Sequence, residues 1–371
     1  MKLYKLSAVM FSALLLASCS DIDNQEYAGG AISGEQSQET NSAIPSRTKA
    51  TFAGMFTLIG DPCHNYQTHF SDTRPDDFGF VMSAISLDLE GADMSMQDNG
   101  YNWFSASDEL SSRNANYANP YVRYVIPYTS LGIANDIINA FPADTKDAEA
   151  INMIAQAKTI RAFDYLSLAP YFQGSYQTSK DKPCVPLLDG KNDYTNNPRA
   201  TVAEVYTAII DDLSYAIDNL TDAREDKSRI NKSVALGLRA RAYLYMGEYA
   251  KALVDAEAAM KGYTPASLAD VSVPGFDDSS ASNWMWTYDL TDDQVASAAA
   301  SYATAASWMS AFCGQGYAVA TGNVPMINKL LYDKIPATDV RKGWWLDENL
   351  HSPLLANLEW KDSKGNVLAK G

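Results

Sequence analysis

Apolar residues in the middle of the chain recur every three or four positions, the spacing that gathers them on one face of an α-helix. Thr201 and Glu204 have the spacing of a capping box, in which each side chain satisfies a backbone donor at a helix start. A wider stripe begins at Ile151 and predicts a helix that is buried on more than one side and ends at Pro170. The stripe after Thr201 consists of Val205, Ile209, Leu213, Ala216, Ile217 and Leu220.

An earlier helix is predicted to open at Asn119-Pro120, because asparagine is a good cap and proline fits the first helical turn. We expect Pro127 to kink or break this helix, since proline lacks the N–H that an interior position requires.

The segment from Ser233 to Lys261 has the small and aromatic residues of a tetratricopeptide-like helical hairpin, with Gly247 at the turn. One hairpin cannot bury its apolar face alone, so the helices that begin near Ile151 and Thr201 are expected to stack on it. The sequence therefore predicts a mostly α fold built on a tetratricopeptide-like scaffold. Chance helix packing with the same spacing is the alternative.

Near the other end of the chain, residues Asn283 to Tyr288 alternate as a β-strand does. This pattern predicts a strand with Trp284 and Trp286 on one face, directed toward the core.

The N-terminus indicates export. Lys2 and Lys5 precede a short apolar run and the sequence Leu16-Ala17-Ser18-Cys19, which resembles a bacterial lipobox. We predict a signal peptide over residues 1–18 and lipidation of Cys19, which anchors the chain to a membrane. An ordinary secretory signal with a chance cysteine is the alternative.

Residues 19–50 are polar and poor in large apolar side chains, so they are expected to form a flexible tether before a folded domain over residues 51–371. Acidic residues directly after Cys19 resemble the surface-export signal of Bacteroidetes lipoproteins. A solvated linker without an address is the alternative.

The chain has a formal charge of -16, which argues against nucleic acid as a partner and against electrostatic docking to anionic lipid. Cys63, Cys184 and Cys313 remain besides Cys19, so at most one disulfide is expected and no zinc ribbon.

Sugars stack on flat aromatic rings and need polar partners for their hydroxyls. That combination occurs at Tyr101, Asn102 and Trp103, in a turn-rich region, with Asp72 and Arg74 in a polar loop upstream. Burial in the core is the alternative for each ring. Three further aromatic candidates flank an Ala/Ser-rich stretch: Tyr302, Trp308 and Tyr317.

Signals for catalysis or cofactors are weak, and we predict no enzyme, no metal and no cofactor. His64 and His69 lack the spacing of a helical metal pair. Adjacent carboxylates do not have the facing geometry of a glycosidase pair. These carboxylate pairs are Asp76-Asp77, Asp277-Asp278 and Asp292-Asp293.

Residues 161–174, R-A-F-D-Y-L-S-L-A-P-Y-F-Q-G, followed by Pro183 to Leu187, resemble the R-A-x-x-Y-x-x-L-x-x-x-Y-G-x-x-P signature of SusD/RagB outer-membrane lipoproteins. The similarity spans about residues 50 to 345. Other segments agree in order: Ser86 to Met94, Tyr128 to Asn135, Val205 to Leu220, Gly247 to Tyr249 and Asp339 to Lys342.

The resemblance implies a helical scaffold whose long loops carry the binding face, and a SusC-like TonB-dependent transporter as partner. It also implies an oligosaccharide or polysaccharide ligand, with peptide in the RagB branch, and a lipid-anchored position at the cell surface of the outer membrane. Family members generally continue further, so we expect the C-terminal part of the domain to be incomplete.

Two classes of function follow. The first is a non-catalytic lipoprotein that binds glycan and delivers it to the transporter, with a peptide-binding lid or an adhesin subunit as the variant that differs only in ligand. The second is a surface glycoside hydrolase, which rests on the carboxylate pairs alone.

Overall fold

The computed structural model describes residues 36, 39–40, 43–60, 79–96, 110–116, 118–191, 196–271, 279–289, 325–345, 359–361 and 367–370. Its helices are α1 (Pro45–Gly60), α2 (Gly79–Glu90), α3 (Ala118–Asn139), α4 (Ala148–Phe172), α5 (Tyr176–Ser179), α6 (Val202–Asn219), α7 (Lys232–Met246), α8 (Tyr249–Ala259), α9 (Leu268–Val271) and α10 (Lys329–Lys334). The described residues also include short 3₁₀ segments at Ser111–Arg113 and Val340–Trp344. The predicted fold class is confirmed.

The strands are short and pair antiparallel in twos. The pair β1 (Met94–Met96) and β4 (Pro325–Ile327) joins segments that lie far apart in the sequence. The other pairs are β2 (Pro183–Pro186) with β3 (Arg199–Thr201), and β5 (Glu359–Lys361) with β6 (Val367–Lys370).

Helix α4 is the centre of the core. It packs against both α3 and α6, and α6 packs in turn against α7. The helical hairpin therefore has a neighbouring helix stacked on it, as expected. Residues all around α4 are buried, including Ala155, Ile160 and Leu168, which confirms the prediction from its wide apolar stripe. None of the helices described combines the length and the apolar character that crossing a bilayer requires.

The capping box predicted at the start of α6 is present. The Thr201 hydroxyl accepts from the Glu204 N–H at 3.2 Å, and the Glu204 carboxylate accepts from the Thr201 N–H at 2.7 Å. These bonds lower the pKa of Glu204. Helix α4 has its own cap, Asp147, whose carboxylate accepts from two N–H groups of the first turn.

Both prolines lie inside their helices. Helix α3 continues through Pro127 to Asn139, so the predicted break does not occur. Helix α4 passes Pro170 and ends two residues later at Phe172. A proline costs one hydrogen bond and strains its helix, and packing of α3 and α4 against each other in the core offsets that cost.

The structure differs from expectation at two further places, and one predicted segment lies outside the described residues. Helix α1 begins at Pro45, and Thr48 in its first turns is buried, so ordered structure starts before the predicted boundary at residue 50. Residues 281–289 form turns, bends and irregular chain without a strand, so the strand predicted around Trp284 and Trp286 is wrong. The predicted signal peptide and Cys19 lie outside the described residues.

The hairpin of α7 and α8 turns at Gly247, as predicted. Gly247 has φ +78°, in the left-handed region, and its N–H donates to the last carbonyls of α7. A residue with a Cβ is disfavoured in this conformation.

Replacing Gly247 with alanine is expected to lower the free energy of unfolding by about 1 to 2 kcal/mol, the cost of a left-handed residue with a Cβ. The added Cβ also meets the Gln177 amide nitrogen at 2.6 Å, so that side chain has to move. Urea denaturation measures the change. The matched control is Gly237→Ala inside α7, where a Cβ meets nothing within 4 Å and alanine favours the helix. Equal stability of the two variants would contradict the prediction.

Candidate functional site

The ligand candidates predicted from sequence cannot be placed, because all of them lie outside the described residues: Asp72, Arg74, Tyr101, Asn102, Trp103, Tyr302, Trp308 and Tyr317. The same holds for the three histidines, for Cys63 and Cys313, and for the three adjacent carboxylate pairs. Cys184 is described; it is buried outside any disulfide, its thiol donates to the Ala169 carbonyl at 3.9 Å, and burial raises the pKa of that thiol. Within the described part of the chain, no three His, Cys, Asp or Glu side chains come together in a way that could hold a metal ion.

The described residues do form a large open cleft, which we call the Tyr288 cleft. It measures about 590 Å³, within the range of about 300–1,000 Å³ typical of small-molecule sites. Three segments supply its walls: helix α1, the loop 226–229 that precedes α7, and residues 279–289. The lining residues are Ala53, Phe56, Thr57, Asp226, Lys227, Ser228, Arg229, Ser279, Ser280, Thr287, Tyr288 and Asp289.

Hydrogen bonds clasp two of these walls together. The Lys227 ammonium donates to the Ala281 carbonyl at 2.6 Å, and the Thr287 N–H donates to the Lys227 carbonyl at 3.0 Å. The Trp286 indole N–H donates to the Ser228 carbonyl at 2.9 Å. Because both side-chain and backbone groups take part, the clasp fixes the spacing of the loop and residues 279–289.

Trp286 anchors the clasp in the core. Its ring is half-buried and packs in a T-shaped arrangement with Phe163 on α4, with the ring centroids 5.3 Å apart. The expectation that the Trp286 ring faces the core is therefore confirmed, although the strand that was to carry it is absent. Tyr288, two residues further on, lines the cleft instead.

Arg229 joins the loop to the third wall, helix α1. Its guanidinium lies over the Phe56 ring, 4.6 Å from the centroid, and is 3.7 Å from the Glu225 carboxylate. A cation above an aromatic face is attracted by the ring quadrupole. The stacking therefore holds the loop against helix α1.

Two carboxylates on the cleft walls are held by serine hydroxyls. Asp226 accepts from the N–H and the hydroxyl of Ser228, at 2.7 and 2.5 Å, and these bonds lower the pKa of Asp226. Asp289 accepts from the Ser279 hydroxyl at 2.6 Å. Each carboxylate has about four acceptor positions, so both retain capacity to accept hydrogen bonds from a ligand.

The arginine of the sequence signature has a structural role. The Arg161 guanidinium donates to both oxygens of Asp212, at 2.7 and 2.8 Å, and to the Asn135 side chain at 2.8 Å. Burial on its own disfavours the charged guanidinium, but the bonds to Asp212 outweigh it and raise the pKa of Arg161.

The signature tyrosine holds a loop. The Tyr165 hydroxyl accepts from the Leu188 N–H at 2.7 Å, and Asn135 donates to the Leu188 carbonyl at 3.0 Å. Tyr128 and Asn139, both on α3, bond the neighbouring carbonyls of Pro186 and Asp189. These side chains therefore pin residues 186–189 against α3 and α4.

Comparison with known proteins identifies the scaffold. Residues 80–244, which include α2 without its first residue, α3 to α6 and most of α7, match the SusD-like family model described as "Starch-binding associating with outer membrane". A "SusD-like protein" of Bacteroides ovatus is 30% identical over 123 residues, 32% of this chain and 21% of that protein. Residues 80–244 thus form a SusD-like region of the chain. The resemblance seen in its signature residues is thus confirmed.

Two further relatives extend the likeness along the chain. "SusD-like protein P2" of Formosa agariphila is 24% identical over 261 residues, 69% of this chain and 46% of that protein. A crystal structure of a SusD-like carbohydrate binding protein from Bacteroides vulgatus superposes with a TM-score of 0.65 at 19% identity, covering 87% of this chain and 62% of that one. The chain thus spans less than two thirds of each of these relatives.

Sequence reasoning missed the Tyr288 cleft. Its loop 226–229 lies in the sequence Arg-Glu-Asp-Lys-Ser-Arg (224–229), which looks like an ordinary charged connection between two helices. The turn formed by Asp226 and Ser228 is visible in such a pattern, but the apposition of that loop with α1 and residues 279–289 is not.

Proposed function

We propose that this SusD-like protein captures oligosaccharides at the cell surface and delivers them to a SusC-like TonB-dependent transporter, without breaking bonds itself. The observation that carries the proposal is the match of residues 80–244 to a family model described as starch-binding and associated with the outer membrane. The carbohydrate-binding description of the structural relative from Bacteroides vulgatus supports it.

The attachment proposed for the chain is a lipid on Cys19, exposed after removal of residues 1–18, with a polar tether leading to α1. The lipobox-like sequence supports this arrangement. A tether of this kind lets the folded body move above a membrane-embedded partner while staying close to it, which raises its effective concentration there.

Capture needs many weak contacts. We propose that Trp103 and Tyr101 stack on sugar rings while Arg74 and Asn102 orient the hydroxyls, because aromatic and polar side chains together match the two kinds of surface on a sugar. Asp72, Tyr302, Trp308 and Tyr317 are the further candidates of the same chemistry.

Asp226, one of the two carboxylates of the cleft, does not have the electrostatics of a glycosidase general acid. A general acid in glycoside hydrolysis needs a carboxyl whose pKa is raised. Hydrogen bonds from Ser228 instead lower the pKa of Asp226.

Trp103→Ala is expected to weaken binding of the full chain to its polysaccharide by about fivefold to tenfold, since one stacked ring contributes about 1 kcal/mol. Native affinity electrophoresis in detergent, against plant, host and microbial polysaccharides, measures the retardation. The melting temperature by circular dichroism should change little. A large loss of stability would instead show that the Trp103 ring belongs to the core.

Delivery to a transporter is tested separately. The lipidated chain, extracted from outer membranes in mild detergent, should copurify with a TonB-dependent barrel. A Cys19→Ala control should lose membrane attachment. If no barrel protein accompanies the anchored chain, the delivery part of the proposal is wrong even where glycan binding holds.

A further inference from the structure

The charges that line the Tyr288 cleft cancel. Asp226 and Asp289 carry the two negative charges, and Lys227 and Arg229 carry the two positive ones. The chain as a whole has a formal charge of -16, so its long-range field disfavours the approach of anions. The electrostatic field of the protein therefore does not attract an acidic glycan, and only a cation in the cleft itself could bind its negative charge.

Both cations of the cleft walls are already engaged. The Lys227 ammonium donates to the Ala281 carbonyl at 2.6 Å and forms part of the clasp. The Arg229 guanidinium stacks on Phe56 and is 3.7 Å from the Glu225 carboxylate. Turning either cation toward a carboxylate or sulfate of a ligand would break contacts that hold two walls of the cleft together.

The remaining groups suit hydroxyls. Asp226 and Asp289 retain acceptor capacity, and the hydroxyls of Ser228 and Ser279 donate to these carboxylates, which leaves their own oxygens able to accept. Tyr288 supplies a half-buried aromatic ring on the same surface. An aromatic ring beside several acceptors matches the C–H face and the hydroxyl edge of an uncharged sugar.

We propose that the Tyr288 cleft is a binding site for an uncharged oligosaccharide segment and that it discriminates against glycans bearing uronate or sulfate groups. This inference rests on the proposed glycan-binding function, which it narrows to a ligand class and a place. Tyr288 is the stacking platform, and the two serine-held carboxylates bind the sugar hydroxyls.

The test compares retardation of the full chain by neutral polymers, namely soluble starch, laminarin and galactomannan, and by acidic ones, namely polygalacturonate, alginate and chondroitin sulfate. Tyr288→Ala is expected to reduce retardation by a neutral polymer about fivefold to tenfold, and Tyr288→Phe should retain most of it because the ring remains. Tyr249→Ala removes an exposed tyrosine of α8, outside the cleft, and should have no effect.

Ala53→Trp gives a second test that leaves the clasp intact. Ala53 is exposed on α1 and lines the opposite wall, so the larger ring fills part of the cleft and should also reduce retardation. Unfolding midpoints of all variants identify any that fail to fold, in which case the remaining variant decides.

The possible outcomes distinguish the proposal of the Tyr288 cleft from the proposal of glycan binding. Retardation by a neutral polymer that Tyr288→Ala and Ala53→Trp both weaken supports the cleft. Retardation by an acidic polymer, or by a neutral one that neither variant changes, overturns the cleft as the site while glycan binding stands. Absence of retardation by every polymer overturns glycan binding itself.

Discussion

Replacing Asp212 with alanine is expected to lower the free energy of unfolding by about 3 to 5 kcal/mol, the usual cost of removing one partner of a buried ion pair. The Asp212 side chain is only 7% exposed and receives the Lys158 ammonium at 2.6 Å and the Arg161 guanidinium at 2.7 Å. Without it, two largely buried cations lose their counterion. Urea denaturation at neutral pH measures the change.

The adjacent residue is the control. Asp211 is exposed on the same helix, so Asp211→Ala should change stability by less than about 0.5 kcal/mol. Asp212→Asn should fall between the two, because an amide still accepts one hydrogen bond but supplies no charge. If Asp212→Ala proves no more harmful than Asp211→Ala, the ion cluster does not support the α4–α6 contact.

The helical scaffold was predictable because its signals are local. A capping box spans four residues, and the bonds between Thr201 and Glu204 form as the spacing indicates. The turn at Gly247 likewise depends on one residue that tolerates a left-handed backbone. The residues of such patterns lie within a few positions of one another, so the patterns can be interpreted without knowing which segments contact each other.

The Tyr288 cleft was not predictable for the opposite reason. Phe56, Arg229 and Tyr288 lie far apart in the sequence and meet only because α1 and the clasp pack on the same side of the core. The alternation at Trp284 and Trp286 was misleading, since a strand needs a pairing partner and residues 281–289 bond to a loop instead. A periodic pattern shows which side chains are apolar, but it does not identify the segments that they contact.

The signature residues illustrate a further limit. Arg161 and Tyr165 pointed correctly to the family, yet the structure uses them to hold α6 and the 186–189 loop in place. A residue pattern that marks a family can mark its scaffold. The walls of the Tyr288 cleft lie partly in loops, where the sequence carries no periodic signal.

One residue within the same signature segment is an acidic side chain buried in the core. Asp164 on α4 is fully buried, and neither of its carboxyl oxygens has hydrogen-bond geometry with a partner in the described part of the chain. Burial raises the pKa of Asp164 well above its ordinary value of 3.8, and the nearby Ser130 hydroxyl offsets only part of that rise. The arginines of α3 and α4 have other partners, since Arg161 binds Asp212 and Arg123 binds Glu90.

The stability of this protein is therefore expected to fall, relative to an Asp164→Asn variant, as the pH rises. The folded chain keeps the proton on Asp164 while the unfolded chain loses it near pH 3.8. The difference in unfolding free energy between variant and parent should grow by about 1.4 kcal/mol per pH unit from about pH 4 upward, and level off above the folded-state pKa. Below that window the two proteins should be almost equally stable.

Urea denaturation of both proteins at half-unit steps from pH 4.5 to pH 8 measures this slope, with Asp211→Asn as the exposed control that should show almost none. A constant difference across the series would mean that Asp164 is already ionised in the folded state. In that case a partner outside the described residues has to supply the hydrogen bonds that a buried carboxylate needs. A rising difference instead establishes Asp164 as a neutral acid in the core, whose α3–α4 seam tolerates a polar group because it never becomes charged.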